Sequence, residues 1–136
     1  MKVNAYLNFN GSCEEAFKFY EKALGAKIEV MSTFAGSPAA AMVPGDWKNK
    51  IVHARVTIGD TLVMGSDSPP GRYNEPKGIS LSLGLATPAE AERAFQALAE
   101  KGTITMPLAQ SFFASRFGMV TDRFGIPWMV ICEAQA

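Results

Sequence analysis

The sequence predicts an α+β fold of two βαβββ units. Three observations predict it. Two helices share one pattern of start, apolar stripe and stop, 75 positions apart (Ser12 to Thr87, Glu15 to Glu90). Each helix has one strand signal before it and three after it. The 136 residues, with 48% hydrophobic and 19% charged, suit one ordinary domain and are too apolar for a disordered chain. The expected organisation is a single domain over 1–136, with a first unit over 1–68 and a second over 77–136.

Val3, Ala5, Leu7 and Phe9 alternate with Asn4, Tyr6, Asn8 and Asn10, the period-two pattern of a half-buried strand. Ser12 and Glu15 spell a capping box, in which the serine oxygen accepts from an orphan backbone N–H and the glutamate reaches back to another. Cys13, Ala16, Phe17, Tyr20, Ala23 and Leu24 form a one-sided helical stripe, and Gly25 supplies a left-handed stop. Strand signals follow over 26–34, 53–58 and 61–64, the last two joined as a hairpin through Gly59-Asp60. Thr87, Pro88 and Glu90 open the second helix; Ala91, Ala94, Phe95 and Leu98 are its stripe and Gly102 its stop. Its strands run over 79–85, 104–106, 116–121 and 128–132, with Asp122-Arg123-Phe124-Gly125 turning between the last two. Two loops interrupt the plan, 35–50 and 66–78. The second joins the units and, at about 13 residues, is long enough to be a linker or a binding loop.

Lysine plus arginine number 13 and aspartate plus glutamate 13, for a net charge of +0. That balance argues against nucleic acid or an anionic membrane as partner, since both select a basic face. No apolar run reaches the roughly 18 residues of a membrane span. Met1-Lys2-Val3-Asn4 has no basic region leading into a long apolar stretch, so a secretory leader is not expected. Cys13 and Cys132 form neither a CxxC pair nor a zinc spacing. Free thiols and a cytoplasmic location are therefore expected.

Several stretches carry a family resemblance: Tyr6-Leu7-Asn8-Phe9-Asn10-Gly11 with 16–20, His53-Ala54-Arg55, 64–71, and Met106-Pro107-Leu108 continuing through Arg116-Phe117-Gly118-Met119 to Asp122-Arg123-Phe124-Gly125-Ile126-Pro127-Trp128. With the paired units, they resemble the vicinal oxygen chelate superfamily of glyoxalase I, extradiol dioxygenases and bleomycin-resistance proteins, and within it the PhnB-like branch. The resemblance implies the glyoxalase-like fold, in which each unit forms part of a curled mixed sheet around a cleft, and a homodimer. Metal enzymes of this superfamily place ligands on the first and last strand of each unit. Those positions here hold Ala5, Met64 or Gly65, Ser80, and Met129 beside Trp128, none a good ligand. One histidine in the whole chain also excludes a two-histidine, one-carboxylate triad. Neither a metal nor another cofactor is expected. No glycine-rich turn for S-adenosylmethionine occurs, so the methyltransferase label common among such proteins is not carried over.

The candidate ligand-binding residues are His53, Arg55, Asp67, Arg116, Phe113, Trp128 and Met129. His53 shares a strand face with Arg55, either as an imidazole beside an anion-holding guanidinium or as a structural pair. Asp67 is a rim group or a turn former. Arg116 beside aromatics suits a carboxylate, a phosphate or a dimer contact. Phe113 and Trp128, with Phe112, Phe117, Phe124 and three methionines (Met64, Met119, Met129), are core by composition, or the lining of a cavity for a flat or apolar ligand. Two function readings stand. One is a metal-independent binder of a small organic ligand, anionic in character. The other is an enzyme whose metal is held by unusual groups such as His53, Asp67 and Glu133.

Overall fold

The computed structural model describes residues 1–133; the last three residues of the expected second unit, 134–136, lie outside the described residues. The chain divides into two compact units, Met1–Asn74 and Glu75 onward, with the break inside the expected joining loop.

The first unit holds β1 (Tyr6–Phe9), α1 (Cys13–Leu24), β2 (Lys27–Thr33), β3 (Ile51–Ile58) and β4 (Thr61–Asp67). Its sheet runs β1-β4-β3-β2, with β1 parallel to β4 and the other pairs antiparallel. The second unit holds β5 (Leu81–Leu85), α2 (Pro88–Ala99), β6 (Thr103–Ala109), β7 (Ala114–Thr121) and β8 (Pro127–Glu133). Its sheet runs β5-β8-β7-β6, again with the first and last strands parallel. This is the expected α+β plan of two βαβββ units. Strand ends move: the first strand starts at Tyr6, not Val3, while the strand expected over 104–106 extends over Thr103–Ala109. Pairing partners, which local alternation does not see, set these limits.

The two helices match in length and start 75 positions apart, yet their N-termini are satisfied differently. Thr87 is extended and its hydroxyl accepts from Glu90 N at 3.1 Å, the expected cap. Ser12 sits at φ −116°, ψ 17° and its side chain makes no capping bond. The expected capping box at α1 therefore does not form; instead the Asp67 carboxylate accepts from Cys13 N at 2.9 Å. At α2 the equivalent first position is Pro88, which has no N–H to satisfy. Gly25 ends α1 as expected, at φ +68°, with Gly25 N donating to Glu21 O and Ala26 N to Tyr20 O. After α2 the left-handed residue is Lys101 (φ 58°), not Gly102. Gly102 serves close approach: a Cβ there would lie 2.5 Å from Thr121 O.

Each sheet buries one face against its own helix. In the first unit Leu7, Phe9, Ala54, Val56 and Val63 pack with Ala16, Phe17 and Tyr20. Gly65 leaves room for the Phe17 ring, since a Cβ would lie 2.8 Å from Phe17 Cζ. In the second unit Val120, Trp128, Val130 and Cys132 pack with Ala91, Phe95 and Leu98. Side chains alternate across a strand, so the residues between these point to the opposite, helix-free face of each sheet.

Candidate functional site

On the first sheet, His53, Arg55 and Thr57 of β3 alternate with buried Ala54 and Val56, and so face away from α1. Leu62, Met64 and Ser66 of β4 do the same between Val63, Gly65 and Asp67. Strand pairing sets these residues in rows. Tyr6 pairs with Met64, Met64 with Arg55, and Arg55 with Val30, one continuous line across all four strands. In the neighbouring row Asn8 pairs with Ser66 and His53 with Ser32. The Tyr6 hydroxyl and His53 Nδ1 lie 3.5 Å apart, with ring centroids at 6.0 Å and planes 30° apart. Arg55 is exposed, and among the described residues no hydrogen bond or ion pair engages its guanidinium. A free planar fork of donors beside an imidazole and a phenol can accept a carboxylate or phosphate.

Tyr6 was not among the expected site residues. Alternation alone placed it on the polar side of its strand, but only the β1-β4-β3 pairing brings it beside His53.

Asp67 lies on the other face. It is 2% exposed, and its two oxygens accept from Cys13 N at 2.9 Å and Ile51 N at 2.8 Å. The carboxylate thus ties the start of α1 to the start of β3. It also borders a pocket of about 420 Å³ whose other walls include Glu14, Glu15, Lys18, Asp46 and Lys50. Lys50 Nζ donates to Gly11 O at 2.9 Å and Lys18 pairs with Glu14 at 2.6 Å. Burial first, then the Asp67 and Glu14 charges, pushes the neighbouring Cys13 thiol well above the ordinary thiol range. Such a thiol is no nucleophile at neutral pH. His53 and Asp67 point to opposite faces of one sheet, so they do not converge on a shared ion. Among the described residues, no group of three or more His, Cys, Asp or Glu side chains is placed to hold a metal.

In the second unit the expected residues separate. Arg116 pairs with Cys132 in the ladder, and its Nε meets Glu92 Oε1 of α2 at 3.1 Å while Nη1 donates to Ser115 O at 2.7 Å. It lies on the helix side. Trp128 is also on that side, buried, with Nε1 donating to Asp122 Oδ2 at 2.9 Å. Asp122 Oδ1 accepts from Phe124 N and Ile126 N, so one buried carboxylate holds the whole β7–β8 turn. Met129 faces away from α2, in a row with Met119, Met106 and Ser82. Phe113 is exposed and meets Phe117 edge to face at 5.0 Å.

Comparisons with known proteins bear on the family and the fold. A family model described as the Glyoxalase/Bleomycin resistance protein/Dioxygenase superfamily matches residues 2–130. The chain is 34% identical to Protein YjdN from Escherichia coli (strain K12), over 96% of this chain and 94% of that one. It is similar to the crystal structure of protein PA1353 from Pseudomonas aeruginosa, at 48% identity and TM-score 0.89, covering 99% of both chains. The PhnB protein from Bacillus cereus is 26% identical, with TM-score 0.82 over 97% of this chain and 99% of that one.

Proposed function

Because the chain belongs to the glyoxalase/bleomycin resistance protein/dioxygenase superfamily, we propose that it binds a small organic ligand through an anionic group, on the helix-free face of its first sheet. We place it in the PhnB-like branch, acting in the cytoplasm as a homodimer and without a metal at the superfamily's usual positions. The carrying observation is the row Tyr6–Met64–Arg55–Val30 with His53 beside it. A guanidinium without a partner among the described residues, an imidazole and a phenol lie there on one surface. Arg55 supplies the charge and a two-pronged hydrogen bond; His53 and Tyr6 supply the remaining donors. Met64 and Val30 offer apolar contact to the ligand's body. Phe113 and Met129 belong to a separate, apolar face on the second sheet. Asp67, Arg116 and Trp128 are engaged by their own unit's backbone or side chains, which makes them supports rather than contacts in this reading.

The metalloenzyme reading has less support. Its ligand set needs His53 and Asp67 together, and they occupy opposite faces. Elemental analysis of protein purified without chelator addresses it: stoichiometric nickel, zinc, iron or manganese at a defined site would favour it.

The single histidine makes the binding test direct. Benzoate titrated into the protein should shift the His53 ring signals saturably in NMR. Arg55→Ala should weaken that binding by about tenfold or more, the effect of losing a charge-assisted hydrogen bond, with little change in Tm. Unchanged benzoate affinity in Arg55→Ala would overturn the proposal, and a large fall in Tm would favour a structural pair instead.

A further inference from the structure

We infer that Asn10, in the turn between β1 and α1, is a site of spontaneous deamidation in the folded protein, where it becomes aspartate and isoaspartate. This goes beyond the binding reading of the first sheet and does not rest on it.

The inference starts from a demand of the fold. Gly11 has φ +93°, a backbone region that residues with side chains rarely adopt, so the turn requires glycine. That glycine follows an asparagine, and Asn10-Gly11 is the one Asn-Gly pair in the sequence. Deamidation needs the amide nitrogen of the next residue to reach the asparagine Cγ, an approach that a following side chain obstructs. The other asparagines lack this opening. Asn4 precedes Ala5, and its amide donates to Leu62 O at 3.1 Å. Asn8 precedes Phe9 inside β1, and Asn49 and Asn74 precede Lys50 and Glu75.

The fold leaves both reacting groups at Asn10 free. Asn10 is exposed; among the described residues no hydrogen bond holds its carboxamide and no acceptor engages the Gly11 N–H. Electrostatics also favour the nucleophile. Lys50 Nζ donates to Gly11 O at 2.9 Å, and Gly11 lies just before α1, whose N-terminal end is electropositive. Both stabilise the negative charge that develops on the Gly11 nitrogen as it loses its proton. Of the nearby carboxylates, Glu14 pairs with Lys18, and Asp67 accepts from two backbone amides.

The reaction balances with water as the only co-reactant. Solvent base takes the Gly11 amide proton, the nitrogen bonds to Asn10 Cγ, and the Cγ–Nδ2 bond breaks. Nδ2 leaves as ammonia, with its extra proton returned from solvent. The succinimide ring so formed is opened by water at one of its two carbonyls. Breaking the bond from nitrogen to Cγ gives aspartate. Breaking the bond from nitrogen to the main-chain carbonyl carbon routes the backbone through Cβ and gives isoaspartate. No atom is oxidised or reduced. Either product adds a negative charge beside the pocket that Gly11 and Lys50 border. Isoaspartate also lengthens the main chain between two anchored points, since Phe9 O accepts from Ser68 N at 2.8 Å and Cys13 N donates to Asp67. The turn must absorb the extra atom, and the Lys50–Gly11 bond is the contact that moves.

The test incubates the native full chain in mildly alkaline buffer made with heavy-oxygen water, then maps every asparagine by peptide mass and fragmentation. Asn10 should gain the amide-to-acid mass shift with one heavy oxygen, about tenfold or more faster than Asn4, Asn8, Asn49 or Asn74. A protein-isoaspartate methyltransferase should label the same peptide. Asn10→Gln, which would have to close a larger ring, should lose both signals with Tm preserved. Should it fail to fold, Asn10→Ser, which has no amide to lose, takes its place. Lys50→Met should slow the gain by about twofold or more, and an unchanged rate would overturn the assistance assigned to Lys50. Arg55→Ala should leave the rate unchanged, which separates this inference from the anion site. An intact Asn10 while another asparagine reacts, reaction only after urea unfolds the chain, or an isoaspartate signal that persists in the Asn10 variant would each overturn the inference.

Discussion

Asp67 shows how one carboxylate can be read two ways from sequence and have a third role in the fold. Rim group and turn former were both open, and the structure makes it the anchor for Cys13 N and Ile51 N. No local pattern names those partners, because they lie 54 and 16 positions away. Asp67→Ala should cost about 3 kcal/mol or more in urea unfolding, since it leaves two buried amides without acceptors. Cys13 responds to the same environment. Its folded thiol is held above the ordinary value of 9.0 by burial and by Asp67. The folded state therefore keeps the thiol proton that the unfolded chain releases. Stability from this group is complete below about pH 8.5 and falls as pH rises further, by up to about 1.4 kcal/mol per pH unit. Urea midpoints measured from pH 8 to 10 should show that slope in the native chain and lose it in Cys13→Ala. At the candidate site, His53 and Arg55 were legible as one strand face. Tyr6 was not, because its contact with His53 crosses two strand pairings.

The helices behave alike in outline and differently at their ends. Apolar periodicity made both stripes legible, and every expected stripe residue is on the packed side or at its margin. The capping boxes were equally clear as letters, but only Thr87 caps with its side chain. A hydroxyl caps when its own backbone is extended, and Ser12 is not. Thr87→Ala should therefore cost about 1 kcal/mol, and Ser12→Ala no more than about 0.5 kcal/mol, in paired thermal or urea melts. An equal loss in both variants would mean that Ser12 caps in solution. Gly102 is the parallel case at a helix end. A stop glycine was expected, and the structure uses its missing Cβ to let the Thr121 carbonyl approach.

At the scale of the whole molecule, the two units share one strand order, and their helices share one length. β2 and β6, β3 and β7, and β4 and β8 are also equal in length, at 7, 8 and 7 residues. The faces they leave without a helix differ in character, polar with a cation in the first unit and rich in methionine and phenylalanine in the second. The proposed homodimer should sediment at twice the chain mass at micromolar concentration; a monomer there would overturn it. By itself the sequence determined the class of fold, the repeat of its units and the buried face of each helix. Those follow from periodicity and turn chemistry, which act over a few residues at a time. Only the tertiary structure decided which candidates share a surface. It put Tyr6 with His53, turned Asp67, Arg116 and Trp128 toward the helices, and left Met129 in the open. Register and face come from pairings between residues far apart in the chain, and a one-residue change in pairing would exchange the two faces.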